Sequence, residues 1–332
     1  MELSNKPFIH LFRTRNQYYF YDANTCSIIR INETMYDILK NKENFLELEQ
    51  LKKLYENGFL QSKEDIIIEH PASSGIESYL DEGMQQLILQ LTQNCNLRCK
   101  YCVYSGSYKN RVHTNKRMTF EIAKEAIDYY YLHSRAADVV RIGLYGGEPL
   151  LEFDLIKKIT EYCEKIFAGK ELRINMTTNA TLLNEKLIVS HKGLLISSIH
   201  DRVTKPYRRK GICHPNGPCI AGYNRLFVTV EGKFYPCERV SETNEVYCIG
   251  DIKSGIETKK VLRLLNTGKL TETECKNCWA LNLCSICAAD FGEDNDLSTS
   301  KKLQKCSVAK KEVEEHLVEY CTLREYGFNF EN

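Results

Sequence analysis

Net charge is almost absent from this sequence: across 332 residues, 45 Lys and Arg stand against 44 Asp and Glu, a formal balance of +1. So even a balance gives no electrostatic ground for binding nucleic acid or an anionic membrane surface. Long apolar runs are missing too. No stretch approaches the roughly 20 residues needed to span a bilayer. The opening MELSNKPFIHLF lacks the basic start and apolar stretch of a secretory signal, so a cytoplasmic protein is expected. No internal repeat is found beyond an alternation of strand and helix patterns, and nothing reads as disordered. The length suits two or three domains.

Cysteine, by contrast, is abundant. Fifteen thiols in a reducing compartment point to metal rather than disulfides. Eleven of them fall in two groups, three at 95–102 and eight from 213 to 306, while Cys26, Cys163, Cys248 and Cys321 stand alone. The isolated ones read as structural. Cys163 continues the apolar stripe of Leu155, Ile156, Ile159 and Ile166 and belongs to a helix core.

The chain opens with strand-like FIHLFR, YYFYD and CSIIRI and two helical patterns, ETMYDILKN and FLELEQLKKLYENGFL. Residues 63–83, with EHPASSG, read as a linker. From QLILQLT the grammar becomes strand 86–92, helix 119–133 with Thr119 as N-cap, strand 139–145, helix FDLIKKITEYCEKIF and strand 172–177. That alternation predicts a parallel sheet or barrel. Beyond Arg202 a Cys-, Gly- and Pro-rich region follows, containing a hairpin around Glu231-Gly232 and ending in a helix near 308–320.

Cys95-x3-Cys99-x2-Cys102 supplies three thiolates to one small volume directly after the first strand. Thiolates suit zinc and iron–sulfur clusters. Three are one fewer than a closed site needs, so a four-iron cluster held here keeps one iron open. With Tyr101 before the last cysteine, the loop resembles the signature of the radical S-adenosylmethionine (SAM) superfamily. The resemblance implies a 4Fe-4S cluster on Cys95, Cys99 and Cys102, SAM on its open iron, and hydrogen abstraction by a 5′-deoxyadenosyl radical. It also implies SAM contacts at Gly146, Gly147 and Glu148, with Glu148 facing the amino group, and at Thr178 and Asn179.

The later cysteines run Cys213-x5-Cys219-x12-Gly232-x4-Cys237, then Cys275-x2-Cys278-x5-Cys284-x2-Cys287, then Cys306. Zinc ribbons separate their two knuckles by about 15 to 20 residues, so the short spacer here disfavours a ribbon. The pattern resembles the SPASM extension of radical SAM enzymes. That implies two auxiliary 4Fe-4S clusters, one on Cys213, Cys219, Cys237 and Cys287 and one on Cys275, Cys278, Cys284 and Cys306. One departure stands out: two residues, Ser285 and Ile286, separate the last pair where the family has three.

The combined resemblance implies an α/β fold: a shortened partial (β/α) barrel at 84–200, a winged-helix-like peptide-recognition module at 1–75 and a SPASM domain at 201–332. It implies a radical SAM maturase of a ribosomally synthesised, Cys-rich peptide, forming a thioether or related crosslink, with the leader bound by the first module through strand addition. A flavodoxin or ferredoxin would supply electrons. Alternatives are a formylglycine-type protein maturase, or a truncated and catalytically impaired iron–sulfur protein. The last has weight because only three barrel strands are visible, with about a hundred residues missing near Ser190–Leu194 at some 30 residues per βαβ unit. The edge of the third strand is then expected to be covered by the C-terminal region or by a partner.

Overall fold

The computed structural model describes residues 6–41, 44–105, 111–182, 211–215 and 219–327. Strands β1 (Ile9–Arg13), β2 (Tyr18–Asp22) and β3 (Ser27–Ile31) form an antiparallel sheet in chain order. Strand alternation divides YYFYD between two faces. Phe20 meets Met35 and Leu39 of α1 (Glu33–Asn41) and Leu51 of α2 (Glu49–Glu56). Tyr19 and Tyr21, with Phe12, meet Val313, Leu317 and Cys321 of the C-terminal helix. Asp22 closes the module: its carboxylate accepts from the backbone N–H of Asn24, Thr25 and Leu60 at 2.9–3.1 Å.

The stretch expected to be a linker is structured. It holds β4 (Ile67–Ile68) and α3 (Ile76–Glu82), and Ala72, Ile76 and Leu80 join the main core. The Pro, Ser and Gly residues mark turns between apolar positions that are themselves buried.

The main body alternates β5 (Gln86–Thr92), α4 (Phe120–His133), β6 (Val139–Gly146), α5 (Phe153–Ile166) and β7 (Glu171–Met176), with both strand pairings parallel. Thr119 caps α4 by accepting from Ile122 N–H. The register puts Leu87, Ile142 and Ile174 in one row and Leu89, Leu144 and Met176 in the next. Offset by one residue, Ile88, Gly143 and Asn175 align on the opposite face, with Gln90 beside Tyr145. One face is therefore core and the other is largely polar.

The C-terminal region attaches where it was not expected. After β8 (Ile212–Cys213), which pairs with β4, the strands β9 (Leu226–Val228), β10 (Lys233–Tyr235), β11 (Gly250–Asp251) and β12 (Gly255–Ile256) extend the same sheet. The order is β12-β11-β10-β9-β5-β6-β7, so β9 pairs with the first parallel strand and leaves β7 outermost among the described residues. Glu171 and Arg173 on β7 are exposed and paired with each other, and charges of this kind discourage edge-to-edge pairing. The Ser190–Leu194 segment invoked above lies outside the described residues. The β9–β10 turn contains Gly232 at φ +80°, where a Cβ would also press on Ile252.

Helices α6 (Thr258–Leu265) and α7 (Glu272–Lys276) precede α8 (Thr299–Glu325), which is longer than expected at both ends. Ser298 caps it by accepting from Lys301 N–H. No described helix is long and apolar enough to cross a membrane.

Because α8 covers the outer face of the N-terminal sheet, Leu317→Ala should lower stability by about 2–5 kcal/mol. The check is the urea midpoint of the full chain; an unchanged midpoint would mean that the module does not depend on α8.

Candidate functional site

At the C-terminal ends of β5, β6 and β7 three loops converge. Strand pairing between β5 and β6 continues past the strands: Gly147 N–H donates to Thr92 O and Glu148 N–H to Asn94 O, each at 2.8 Å. Side chains would forbid this approach. A Cβ on Gly146, at φ +140°, would lie 2.3 Å from Thr92 O, and one on Gly147 would lie 2.0 Å from Asn94 O. Both glycines thus serve the contact with the cysteine loop.

Glu148 is held by three donors. Its side chain is fully buried, and the carboxylate accepts from Leu150 N–H at 2.9 Å, Thr178 Oγ1 at 2.7 Å and Asn179 N–H at 2.8 Å. It caps the turn Pro149–Glu152 and clamps the Thr177–Asn179 loop. A buried carboxylate needs such donors to offset its desolvation.

Asn179 faces the cysteines. Its Nδ2 donates to Asn96 Oδ1 at 2.9 Å and lies 3.6 Å from Cys95 Sγ. Cys95 Sγ also accepts from Leu97 N–H at 3.3 Å, and Cys102 Sγ from Tyr104 N–H at 3.4 Å. Tyr101 is 83% exposed, and its hydroxyl bonds the Cys99 thiol, which pushes the phenol's pKa up. Three half-buried thiols on one loop, with N–H groups aimed at two sulfurs, fit a thiolate-bound iron–sulfur cluster. Among the described residues no three Cys, His, Asp or Glu side chains are gathered to grip a single metal ion.

Beside this loop lies a polar cluster that the motifs do not announce. Arg111 is buried, with Nε 2.6 Å from Glu242 Oε1 and its guanidinium over the rings of Tyr104, Tyr145 and Phe227 at 5.0–5.8 Å. Glu242 also accepts from Gln90 at 2.8 Å and Gln93 at 3.4 Å. Burial raises the Glu242 pKa, and Arg111 opposes that rise. Alternation within QLILQLT, with Gln90 off the apolar face, is the sequence signal that could have marked it.

The eight later cysteines form two neighbourhoods. Cys275, Cys278, Cys284 and Cys306 lie close enough to influence one another's ionisation, and Thr271 Oγ1 lies 3.2 Å from Cys275 Sγ. Cys287 neighbours both Cys219 and Cys237 in the same sense. Cys213, expected with that second set, packs with Ile68, Leu281 and Cys275. Parallel pairing of β8 with β4 holds it there.

Residues 89–203 match the Radical SAM superfamily, and this part of the chain is a radical SAM domain. An uncharacterized protein of Methanocaldococcus jannaschii is 42% identical over 113 residues, 34% of this chain and 36% of that protein. GTP 3′,8-cyclase of Aquifex aeolicus is 33% identical over 108 residues, 32% of each chain. The chain thus spans about a third of the length of these curated relatives. The solved structure of native anSMEcpe with bound AdoMet superposes with a TM-score of 0.49 at 15% identity, covering 73% of this chain and 99% of that one.

Gly147→Ala should cost about 1–3 kcal/mol by forcing Cβ into the Asn94 carbonyl, and should speed amide exchange at residues 94–95. Native exchange there in the variant would show that the glycine is not needed for the loop contact.

Proposed function

We propose that the chain is a radical SAM enzyme that modifies a ribosomally made peptide, with the leader held by the N-terminal module and two auxiliary clusters in the C-terminal region. The knitting of the cysteine loop to the Gly146–Glu148 and Thr177–Asn179 loops carries this reading. It keeps three thiols on a preorganised loop beside two further loops able to meet a cofactor. Cys95, Cys99 and Cys102 would hold the first cluster. With SAM bound and an electron from a flavodoxin or ferredoxin, that cluster would supply hydrogen-abstraction chemistry.

This chain's residues would orient and shield the site. Glu148, with the Gly146–Gly147 backbone beside it, is the candidate for the SAM amino group. Thr178 and Asn179 line the same end of the sheet. Arg111, Tyr104 and Tyr145 close one flank with buried surface, which limits water there.

A peptide substrate is favoured over a small molecule by the N-terminal sheet. Among the described residues, no strand pairs with the outer edge of β3, and such an edge can take an extended peptide by main-chain hydrogen bonds. The open sheet supports a second reading, an impaired enzyme that cleaves SAM slowly and without coupling to peptide, because among the described residues only β9 adds a parallel strand to β5, β6 and β7.

Reconstituted protein should hold about twelve iron and twelve sulfide, and replacing Cys95, Cys99 and Cys102 together by Ala should remove about four of each. Stoichiometric zinc without sulfide would sink the assignment. Under dithionite, 5′-deoxyadenosine should form faster when a peptide encoded beside the gene is added; equal rates with and without peptide would favour the impaired reading.

Leader binding should protect amides of Ser27–Ile31 from exchange in the full chain. Protection elsewhere, or none, would remove the peptide-recognition role.

A further inference from the structure

Lys302, in the first turn of α8, is only 2% exposed. Its ammonium donates to Thr267 O at 2.6 Å and Thr271 Oγ1 at 2.8 Å. Among the described residues no carboxylate forms an ion pair with it. Such burial costs several kcal/mol unless a negative charge offsets it, and a buried ammonium is ordinarily paired. Burial pulls the Lys302 pKa down, and the groups placed to oppose that fall are Cys275, Cys284 and Cys306, ahead of Glu274.

The hydrogen-bond directions add to this. An ammonium can only donate, so Thr271 Oγ1 must accept from Lys302. The single hydroxyl proton of Thr271 is then free for Cys275 Sγ at 3.2 Å. The chain runs from ammonium to hydroxyl to sulfur, which suits a sulfur bearing negative charge. Cys306 lies one turn along α8 from Lys302, with Sγ 3.8 Å from the Lys302 carbonyl oxygen.

We infer that Lys302 is the built-in counter-charge of an anionic cluster held by Cys275, Cys278, Cys284 and Cys306, and that it raises that cluster's reduction potential. The inference rests on the auxiliary-cluster reading above and adds to it the residue that tunes one cluster apart from the others. One-electron reduction adds negative charge to a site that is already negative. A fixed cation nearby stabilises the reduced state more than the oxidised one, and net charge and hydrogen bonds to sulfur are both levers on such potentials. Lys302 is a positioning residue in this role, since it reaches sulfur through Thr271.

The experiment is a potentiometric titration of the reconstituted full chain with dithionite, followed by electron paramagnetic resonance. The signal of this cluster is identified by its loss in Cys306→Ser. Lys302→Met should lower that midpoint by about 59 mV, a tenfold fall in the one-electron equilibrium constant, and leave the other midpoints in place. Lys302→Arg should keep the midpoint near that of the parent, and Thr271→Val, which removes only the hydroxyl relay, should lower it by less. Full iron and sulfide with unmoved midpoints in Lys302→Met would overturn the inference while leaving the cluster reading intact. If Lys302→Met does not fold or load iron, unmoved midpoints in Thr271→Val would overturn it. A parent chain holding only about eight iron and eight sulfide, without the signal lost in Cys306→Ser, would overturn the reading and the inference together.

Discussion

The geometry of the site depends on two backbone hydrogen bonds that carry the β5–β6 pairing beyond the ends of the strands, from Gly147 to Thr92 and from Glu148 to Asn94. They fix where the cysteine loop departs from the sheet. The Glu148 side chain takes three donors from the turn that follows it and from the next loop. A carboxylate buried this deeply is tolerated because every donor is in place. The outcome is a rigid floor under the three thiols made from the ends of three parallel strands, and preorganisation of this kind is what a ligand set on a loop requires.

That floor also explains the glycines. Freedom of φ matters at Gly146, whereas at Gly147 the decisive fact is the carbonyl 2.0 Å from any Cβ. Asn179 completes the arrangement from the third strand, since its amide reaches both Asn96 and the Cys95 sulfur. Each loop thus restrains the next: β6 holds the cysteine loop, and Glu148 holds the loop after β7.

Much of the parallel core was legible in the sequence because its signals are local. The apolar periods of 86–92, 139–145 and 172–177 recur as strands within a residue or so, and Thr119 caps its helix as its position implied. The motif spacing located the cysteine loop and its two neighbours. The three donors that hold the buried Glu148 carboxylate were not legible, because a motif names a residue without naming its hydrogen-bond partners. Nor could periodicity say which edge of the sheet β9 would join, since strand partners are chosen by long-range packing. Lys302 was hidden for a third reason: within TSKKLQK it reads as one of several solvated lysines, and only the cap at Ser298 and the packing of the helix decide which of them turns inward.

The placement of β9 against β5 has a consequence for how the two halves of the chain communicate. Strands β5 and β9 are parallel, so both point toward the cysteine loop, while β10 runs back and delivers Cys237 to the opposite end of the ladder, near Arg225. The chain then returns, and Glu242 reaches Gln90, Gln93 and Arg111 beside the first thiols. This pair ties the segment after Cys237 to the residue just before Asn94. A buried ion pair contributes little net stability over an apolar substitute, but loss of one partner strands the other charge. Its effect is therefore to favour one register of the C-terminal region against the core, because a slip by one residue would leave both Arg111 and Glu242 buried without a counter-charge.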